Sequence, residues 1–445
     1  MVRTDLDTLC GHCQRKVFIR YRYLRQFYWY QFPENARKMG YRATGENIHA
    51  ESDGESRMKG KPTIKKRKVG VLIPDAEEWT AVKIARCLRH PDIKVYFLSR
   101  NRHSVAQHSN CKVKYMNLNY TCYSELLDGI KGLHTQHSFD VILPATLSGV
   151  EFIARYKKEL EKIIKVPANP VAQQILLEKN KWDFIFSGNL LHAPLIPSVF
   201  IGNSAKNEIH NKNRVKKMRF PVLIKPVSGK GGWGIVKACG YDEVIRIWES
   251  KKGLIRHTGY FVQEYVPGND YSMSVFCKKG EIIVSSIQES VLGNDTHYGP
   301  QRIMDFVHHD EIYGISRMLL KKLGWNGIAC IDFRIDKKSG KCFVLEINCR
   351  LGQAVLGSLC AGINFPRILL HDALNIDLPK CEYKPCRYAH PAASVRALSG
   401  VLKPHTQKIK IGWHESGLQY TLMDPMPEII ELFNHLSKTM LLAKK

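Results

Sequence analysis

The chain has 445 residues, 44% of them hydrophobic, and a formal net charge of +26. That length predicts two to three domains with a sizeable core, and no apolar run is long enough to cross a bilayer as a helix. The charge admits a nucleic-acid surface, a site for anionic substrates or a lysine-rich exterior. The one dense basic run, residues 59–68 (KGKPTIKKRK), reads as a linker without a recognition motif, so nucleic acid is the weaker reading.

Residues 1–66 read as a leader, aromatic and arginine-rich (FIRYRYLRQFYWYQF), then polar and partly flexible over 45–61. Cys10 and Cys13 form CGHC, a spacing that suits zinc or a redox pair, but no second pair lies nearby and no thioredoxin-like unit surrounds it, so a metal role is not favoured. The other cysteines lie mostly in apolar segments (Cys87, Cys239, Cys330, Cys342, Cys360), which predicts buried reduced thiols. The leader is expected to be peripheral to the fold, with Met58 as an alternative start. It lacks a signal-peptide pattern, so a cytoplasmic protein is expected.

From residue 67 the pattern becomes regular. Strands are expected at 68–73 (KVGVLI), 94–99 (KVYFLS) and 140–144 (DVILP), with helices at 77–88, 123–133 and 149–164. Such alternation predicts a parallel sheet with covering helices over 67–170. No G-x-G-x-x-G follows the first strand, so a dinucleotide site is not supported.

A helix is expected over 171–186, carrying Lys179 and Lys181. Residues 220–234 (FPVLIKPVSGKGGWG) read as a strand ending at Lys225 and a loop with Ser228, Gly229, Lys230, Gly231, Gly232 and Gly234. Backbone N–H groups of such a loop can close over a polyphosphate, and lysine adds compact positive charge. A glycine-rich turn between strands is common, and the G-x-x-x-x-G-K-[ST] order is absent. Residues 260–271 (YFVQEYVPGNDY) read as a strand running into a Pro-Gly turn, followed by a hairpin over 272–277 and 281–287 and a helix over 309–323.

Residues 327–353 (GIACIDFRIDKKSGKCFVLEINCRLGQ) read as two strands joined by a turn at 337–340. Alternation sets Asp332, Arg334 and Asp336 on one face of the first strand. In the second it sets Phe343, Leu345 and Ile347 opposite Val344, Glu346 and Asn348. Antiparallel pairing would gather Asp332, Glu346 and Asn348 on one surface beside Arg350. That surface suits Mg²⁺ and phosphate; a solvated hairpin face is the alternative. Asp336 and Arg334 read as solvated. His297, His308 and His309 read as surface or helix-start residues. Helices are expected at 354–361 and 365–374. The 376–445 extension shows a strand or two and an amphipathic helix over 427–442.

A lysine on a helix, a strand lysine with a glycine loop, a strand with acids around Pro-Gly, and paired strands bearing Asp, Glu and Asn stand in order. This order, in FPVLIKPVSGKGGWG, VQEYVPGND and VLEINCR, resembles the ATP-grasp superfamily of D-alanine–D-alanine ligase, biotin carboxylase and carbamoyl-phosphate synthetase. The resemblance implies a mixed α/β and α+β molecule, an ATP-grasp fold over 171–375 preceded by a Rossmann-like parallel-sheet domain. It implies that Lys225 and either Lys181 or Lys179 contact ATP phosphate and that Ser228–Gly234 covers it. Gln263, Glu264, Tyr265 and Val266 would border adenine, and Asp270 the ribose. Asp332, Glu346 and Asn348 would hold Mg²⁺, with Mn²⁺ as an alternative. Arg350 would bind the transferring phosphoryl group, and Arg302, in NDTHYGPQR, a substrate carboxylate. The implied reaction activates a small-molecule carboxylate for attack by an amine or thiol, in an enzyme that is not membrane-bound and can be oligomeric. The competing readings are a silent ATP-binding regulatory module and a basic nucleic-acid-binding protein.

Overall fold

The computed structural model describes residues 68–201, 208–251, 259–292, 302–398 and 411–442. The leader with Cys10 and Cys13, Met58, nearly all of the 59–68 run, and the loop before Arg302 with His297 lie outside the described residues. All described residues belong to one compact unit, Lys65–Lys445.

The chain begins with β1 (Val69–Ile73), α1 (Trp79–Cys87), β2 (Ile93–Ser99), β3 (Lys112–Asn117), α2 (Tyr123–His137), β4 (Val141–Ile142), α3 (Leu147–Arg155) and α4 (Lys157–Leu160). The strands form a four-stranded sheet in the order β3-β2-β1-β4, every pairing parallel. Both faces are covered, as a parallel sheet requires. Leu72, Leu98 and Ile142 pack with α2 and α3 on one side, and Val71, Ile73 and Phe97 with α1 on the other. β3 was not expected from sequence, because of its six residues only Met116 is buried and the apolar signal is weak. The helix expected over 149–164 is two helices, with Tyr156 outside helical geometry between them.

The next segment holds α5 (Ala172–Lys179), α6 (Lys181–Leu190), β5 (Ser198–Ile201), α7 (Glu208–Lys216), β6 (Val222–Pro226), β7 (Val236–Ala238), α8 (Tyr241–Ser250) and β8 (Tyr260–Glu264). The single helix expected over 171–186 is broken at Asn180, which is extended and accepts from the backbone N–H groups of Trp182 and Asp183. An Asn that caps a new helix satisfies donors that a continuous helix would have paired internally. β5-β8-β6-β7 form an antiparallel sheet whose apolar face packs Val222, Ile224 and Val262 against Val215, Val244 and Trp248.

β9 (Gly268–Lys278), β10 (Glu281–Leu292), β11 (Ile303–Val307), α9 (Asp310–Lys322), β12 (Gly327–Asp336), β13 (Cys342–Asn348), α10 (Val355–Cys360) and α11 (Phe365–Leu374) follow. The extension adds β14 (Cys386–Ala389), α12 (Pro391–Leu398), α13 (Leu418–Met423) and α14 (Met426–Leu442). These strands make a six-stranded antiparallel sheet, β13-β12-β9-β10-β11-β14. Met273, Val275, Ile331 and Val344 face a core that also takes Phe184, Ile185, Leu319 and Leu320 from α6 and α9. No helix among the described residues is long and apolar enough to cross a membrane.

Strict alternation fails at one point in β13. The β12–β13 register slips between Asp332 and Phe333, so that Asp332 pairs with Glu346 but Phe333 with Val344. The extra residue re-phases the strand. Val344, expected on the acid-bearing face, lies in the core with Ile347, and Phe343 is half-buried beneath Lys341. The cysteine reading also needs correction: Cys87, Cys330 and Cys342 are buried, but Cys239 is exposed and Cys360 half-buried. All cysteines among the described residues are free thiols.

Candidate active site

The re-phased β13 turns Glu346 and Asn348 toward the polar face of the six-stranded sheet, where Asp332 and Ser272 already point. Asp332 and Ser272 are register partners on β12 and β9. The Ser272 hydroxyl donates to Asp332 Oδ1 at 2.6 Å, and the Asn348 amide donates to Asp332 Oδ2 at 3.3 Å and Glu346 Oε1 at 3.4 Å. The three expected acid-wall residues are therefore brought together. Burial, and then the facing Glu346 charge, pushes the Asp332 carboxyl up to about 8. Burial also raises Glu346, but the Lys181 ammonium and its hydrogen bond outweigh this, and the net shift is downward.

The helix break at Asn180 separates the two candidate lysines. Lys181 forms an ion pair with Glu346, and its backbone N–H donates to Val227 O at 2.8 Å, tying α6 to the end of β6. Lys179 leaves the site and pairs with Glu151 on α3 at 2.8 Å.

Lys225 projects from β6 and donates to Gln263 Oε1 at 2.6 Å. Gln263 donates in turn to Ser198 Oγ at 3.1 Å. Burial pushes the Lys225 ammonium down to about 8, with Glu346 pulling it upward. The two flanking residues of β8 point oppositely: Glu264 accepts from Arg219 N at 2.9 Å, away from Lys225. The backbone N–H groups of Glu264 and Tyr265 are used by Pro197 O and Pro221 O. That of Val266 has no partner among the described residues. The Tyr265 ring lies under Lys237, 4.4 Å from its centroid.

Arg334, expected to be solvated, instead braces this hinge. Its Nε donates to Val266 O at 2.8 Å and its Nη1 to Asp270 Oδ1 at 2.7 Å. Asp336 accepts from Lys338 N and Ser339 Oγ, an ordinary turn aspartate as expected. His309 caps α9, accepting from Ile312 N. The glycine loop lies between β6 and β7, with Gly229, Gly231, Gly232 and Gly234 all at positive φ, a conformation open to glycine at little cost. Ser228 and Lys230 are exposed, and Lys230 pairs with Glu78 just ahead of α1.

Beyond the wall, Arg350 Nε donates to Glu178 Oε1 at 2.8 Å. Arg302 stands at the entry to β11, its carbonyl accepting from His390 N at 2.9 Å. Sequence reading missed Glu178, Ser198 and Ser272. Ser272 was accessible from alternation, since it shares a β9 face with Ser274. Glu178 carried only the weak signal of an acid before Lys179.

A model of the ATP-grasp domain matches residues 179–354. Carbamoyl-phosphate synthase of Methanobrevibacter smithii is 22% identical over 250 residues, 54% of this chain and 65% of that protein. D-alanine–D-alanine ligase B of Clostridium tetani is 24% identical over 154 residues, 32% of this chain and 42% of that protein. The chain thus spans less than two thirds of either relative. The biotin carboxylase domain of Hydrogenobacter thermophilus 2-oxoglutarate carboxylase, solved with MgADP and bicarbonate, superimposes with a TM-score of 0.55 at 16% identity, covering 71% of this chain and 72% of that one. Residues 179–354 thus match the ATP-grasp domain model, and a parallel-sheet region precedes them.

Proposed function

We propose that this ATP-grasp protein is a ligase that activates a small carboxylate with ATP, as an acyl phosphate, for attack by an amine or thiol. The observation that carries this reading is the opposed pair Asp332 and Glu346, joined by Asn348 and countered by Lys181. Two facing carboxylates, one of them pushed up to about 8, form a donor set short of positive charge. Among the described residues no three His, Cys, Asp or Glu side chains are grouped to hold a metal. Two carboxylates and an amide oxygen suit Mg²⁺, with Mn²⁺ as an alternative, because such ions are bound through few protein oxygens together with water and substrate phosphates. Asp332, Glu346 and Asn348 would hold the ion, which when bound neutralises charge on the β- and γ-phosphates.

The chain's own residues supply the rest by positioning and charge. Lys225, oriented by Gln263 and Ser198, meets phosphate from the opposite sheet, and Lys181 meets it when released from Glu346. N–H groups of the 228–234 loop cover the phosphates. The Val266 N–H is the hinge donor left for the base, with Gln263, Glu264 and Tyr265 around it. Asp270, fixed by Arg334, faces the ribose. A substrate carboxylate oxygen forms the new bond to the γ-phosphorus as the bond to ADP breaks. The amine or thiol then forms its bond to the acyl carbon, and phosphate leaves with the C–O electron pair. Arg350 holds the transferred group, and Arg302 the acceptor side.

The test is ADP release from ATP with a panel of carboxylates, amino acids and thiols, with and without Mg²⁺. Release is expected only with metal and a matching pair, and Glu346→Gln is expected to lower it by about 100-fold or more. Unchanged turnover in that variant refutes the metal assignment. ADP binding without release for any pair supports a silent nucleotide-binding module instead.

A further inference from the structure

Glu178 lies in the last turn of α5, one residue before Lys179 and three before Lys181. Its side chain is 8% exposed and that of Arg350 22%. Three donors converge on the carboxylate. Arg350 Nε reaches Oε1 at 2.8 Å, while the backbone N–H of Cys349 and its thiol reach Oε2 at 2.7 Å and 3.1 Å. The contact fixes the chain as it leaves the acid wall, immediately after Asn348.

The guanidinium is held by one edge only. With Nε engaged, neither terminal nitrogen of Arg350 has a partner among the described residues. A half-buried guanidinium with a free pair of N–H-bearing nitrogens presents a planar fork matched to two oxygens of a phosphoryl or carboxylate group. A single charged bond at Nε removes the freedom of a long side chain to turn that fork elsewhere. The same short stretch of chain makes two ion pairs here, Lys181 with Glu346 on the wall and Glu178 with Arg350 just beyond it.

We propose that Glu178 is the positioning residue of Arg350, setting the guanidinium so that its free fork meets the transferring phosphoryl group. This rests on the nucleotide reading above. Glu178 touches no reacting atom and acts through Arg350.

The test uses the full chain, with Mg·ADP and Mg·ADP plus aluminium fluoride as probes, the latter standing for the phosphoryl group in flight. Calorimetric affinity for Mg·ADP alone is expected to stay within about threefold of the parent in Glu178→Ala, while retention of ADP by aluminium fluoride falls about tenfold or more. Glu178→Gln keeps an acceptor of the same shape, guards against misfolding of the alanine variant, and is expected to lose less. Arg350→Lys is expected to lose retention to the same degree, and the double variant Glu178→Ala/Arg350→Lys no more than either single change, since the two act as a unit. Retention at the parent level in both Glu178 variants, or additive losses in the double variant, overturns the assignment. Failure of the parent chain to bind Mg·ADP overturns instead the nucleotide reading beneath it.

Discussion

Lys179 and Lys181 lie two residues apart, and the capped break at Asn180 sends them to different partners, Glu151 on α3 and Glu346 on the acid wall. In the proposed reading the ammonium beside the acid pair transfers to phosphate, and the one paired with Glu151 does not. ADP affinity, measured calorimetrically at saturating Mg²⁺, is expected to fall about tenfold or more in Lys181→Ala and to stay within about twofold in Lys179→Ala. Equal losses would mean that the break does not separate the two roles. Sequence left the pair undecided because the spacing to IPSV favours Lys181 while the acid-lysine order favours Lys179, and neither pattern reveals the break at Asn180.

At the scale of elements, the hinge between the two antiparallel sheets depends on close backbone approach. Gly268, the glycine of the Pro-Gly turn, opens β9 and pairs with Asp336 on β12. A Cβ added there would lie 1.8 Å from the Ile335 carbonyl oxygen. Backbone cannot yield as a flexible side chain does, so Gly268→Ala is expected to cost about 2–4 kcal/mol. It should also loosen the Arg334 brace on Val266 and Asp270. Urea denaturation reads the first effect and nucleotide affinity the second; a variant as stable as the parent would show that the strand pair slides without penalty. The turn itself was legible in VPGND. The β13 bulge was not, because a one-residue insertion leaves no mark in an apolar-polar pattern, and only strand pairing exposes it.

At the scale of the whole molecule, the extension is built into the fold at two places. β14 completes the edge of the six-stranded sheet beside β11. Near its end, Asp424 accepts from Arg86 on α1 at 3.1 Å, from Ser109 Oγ at 2.8 Å and from Asn110 N at 2.7 Å, and Glu428 pairs with Arg86 at 2.7 Å. The Arg86 and Asp424 side chains are 4% and 0% exposed. Removing one member of such a pair strands the other, so Arg86→Met is expected to destabilise the protein by about 3–5 kcal/mol, read from its denaturation midpoint. A loss below about 1 kcal/mol would mean that the extension is not part of the cooperative unit. His390, which follows β14, supplies a pH dependence. Burial, and then Lys83, pushes its imidazole down to about 3. A group depressed on folding takes up its proton first in the unfolded chain. Its stabilising effect is therefore full above about 6.5 and is lost as pH falls toward 3. A loss on the order of 1–2 kcal/mol is expected between pH 7 and pH 5, and His390→Gln should flatten it; an equal slope in both proteins would exclude this histidine as the cause.

The sequence alone determined the parallel-sheet alternation, the order of lysine, glycine loop, hinge and acid-bearing strands, and the identity of Asp332, Glu346 and Asn348 as one group. These are local matters: periodicity, turn chemistry and residue type are written in neighbouring letters. The tertiary structure alone decided which lysine meets Glu346, that Arg334 braces the hinge instead of facing solvent, that Val344 turns inward, and that Glu178 holds Arg350. The inward turn of Val344 depends on the register of the β12–β13 pair, and the others on contacts between segments far apart in the chain, 165 residues for Lys181 and Glu346 and 172 for Glu178 and Arg350. No local pattern carries such a distance; it exists only once the sheets and helices have packed.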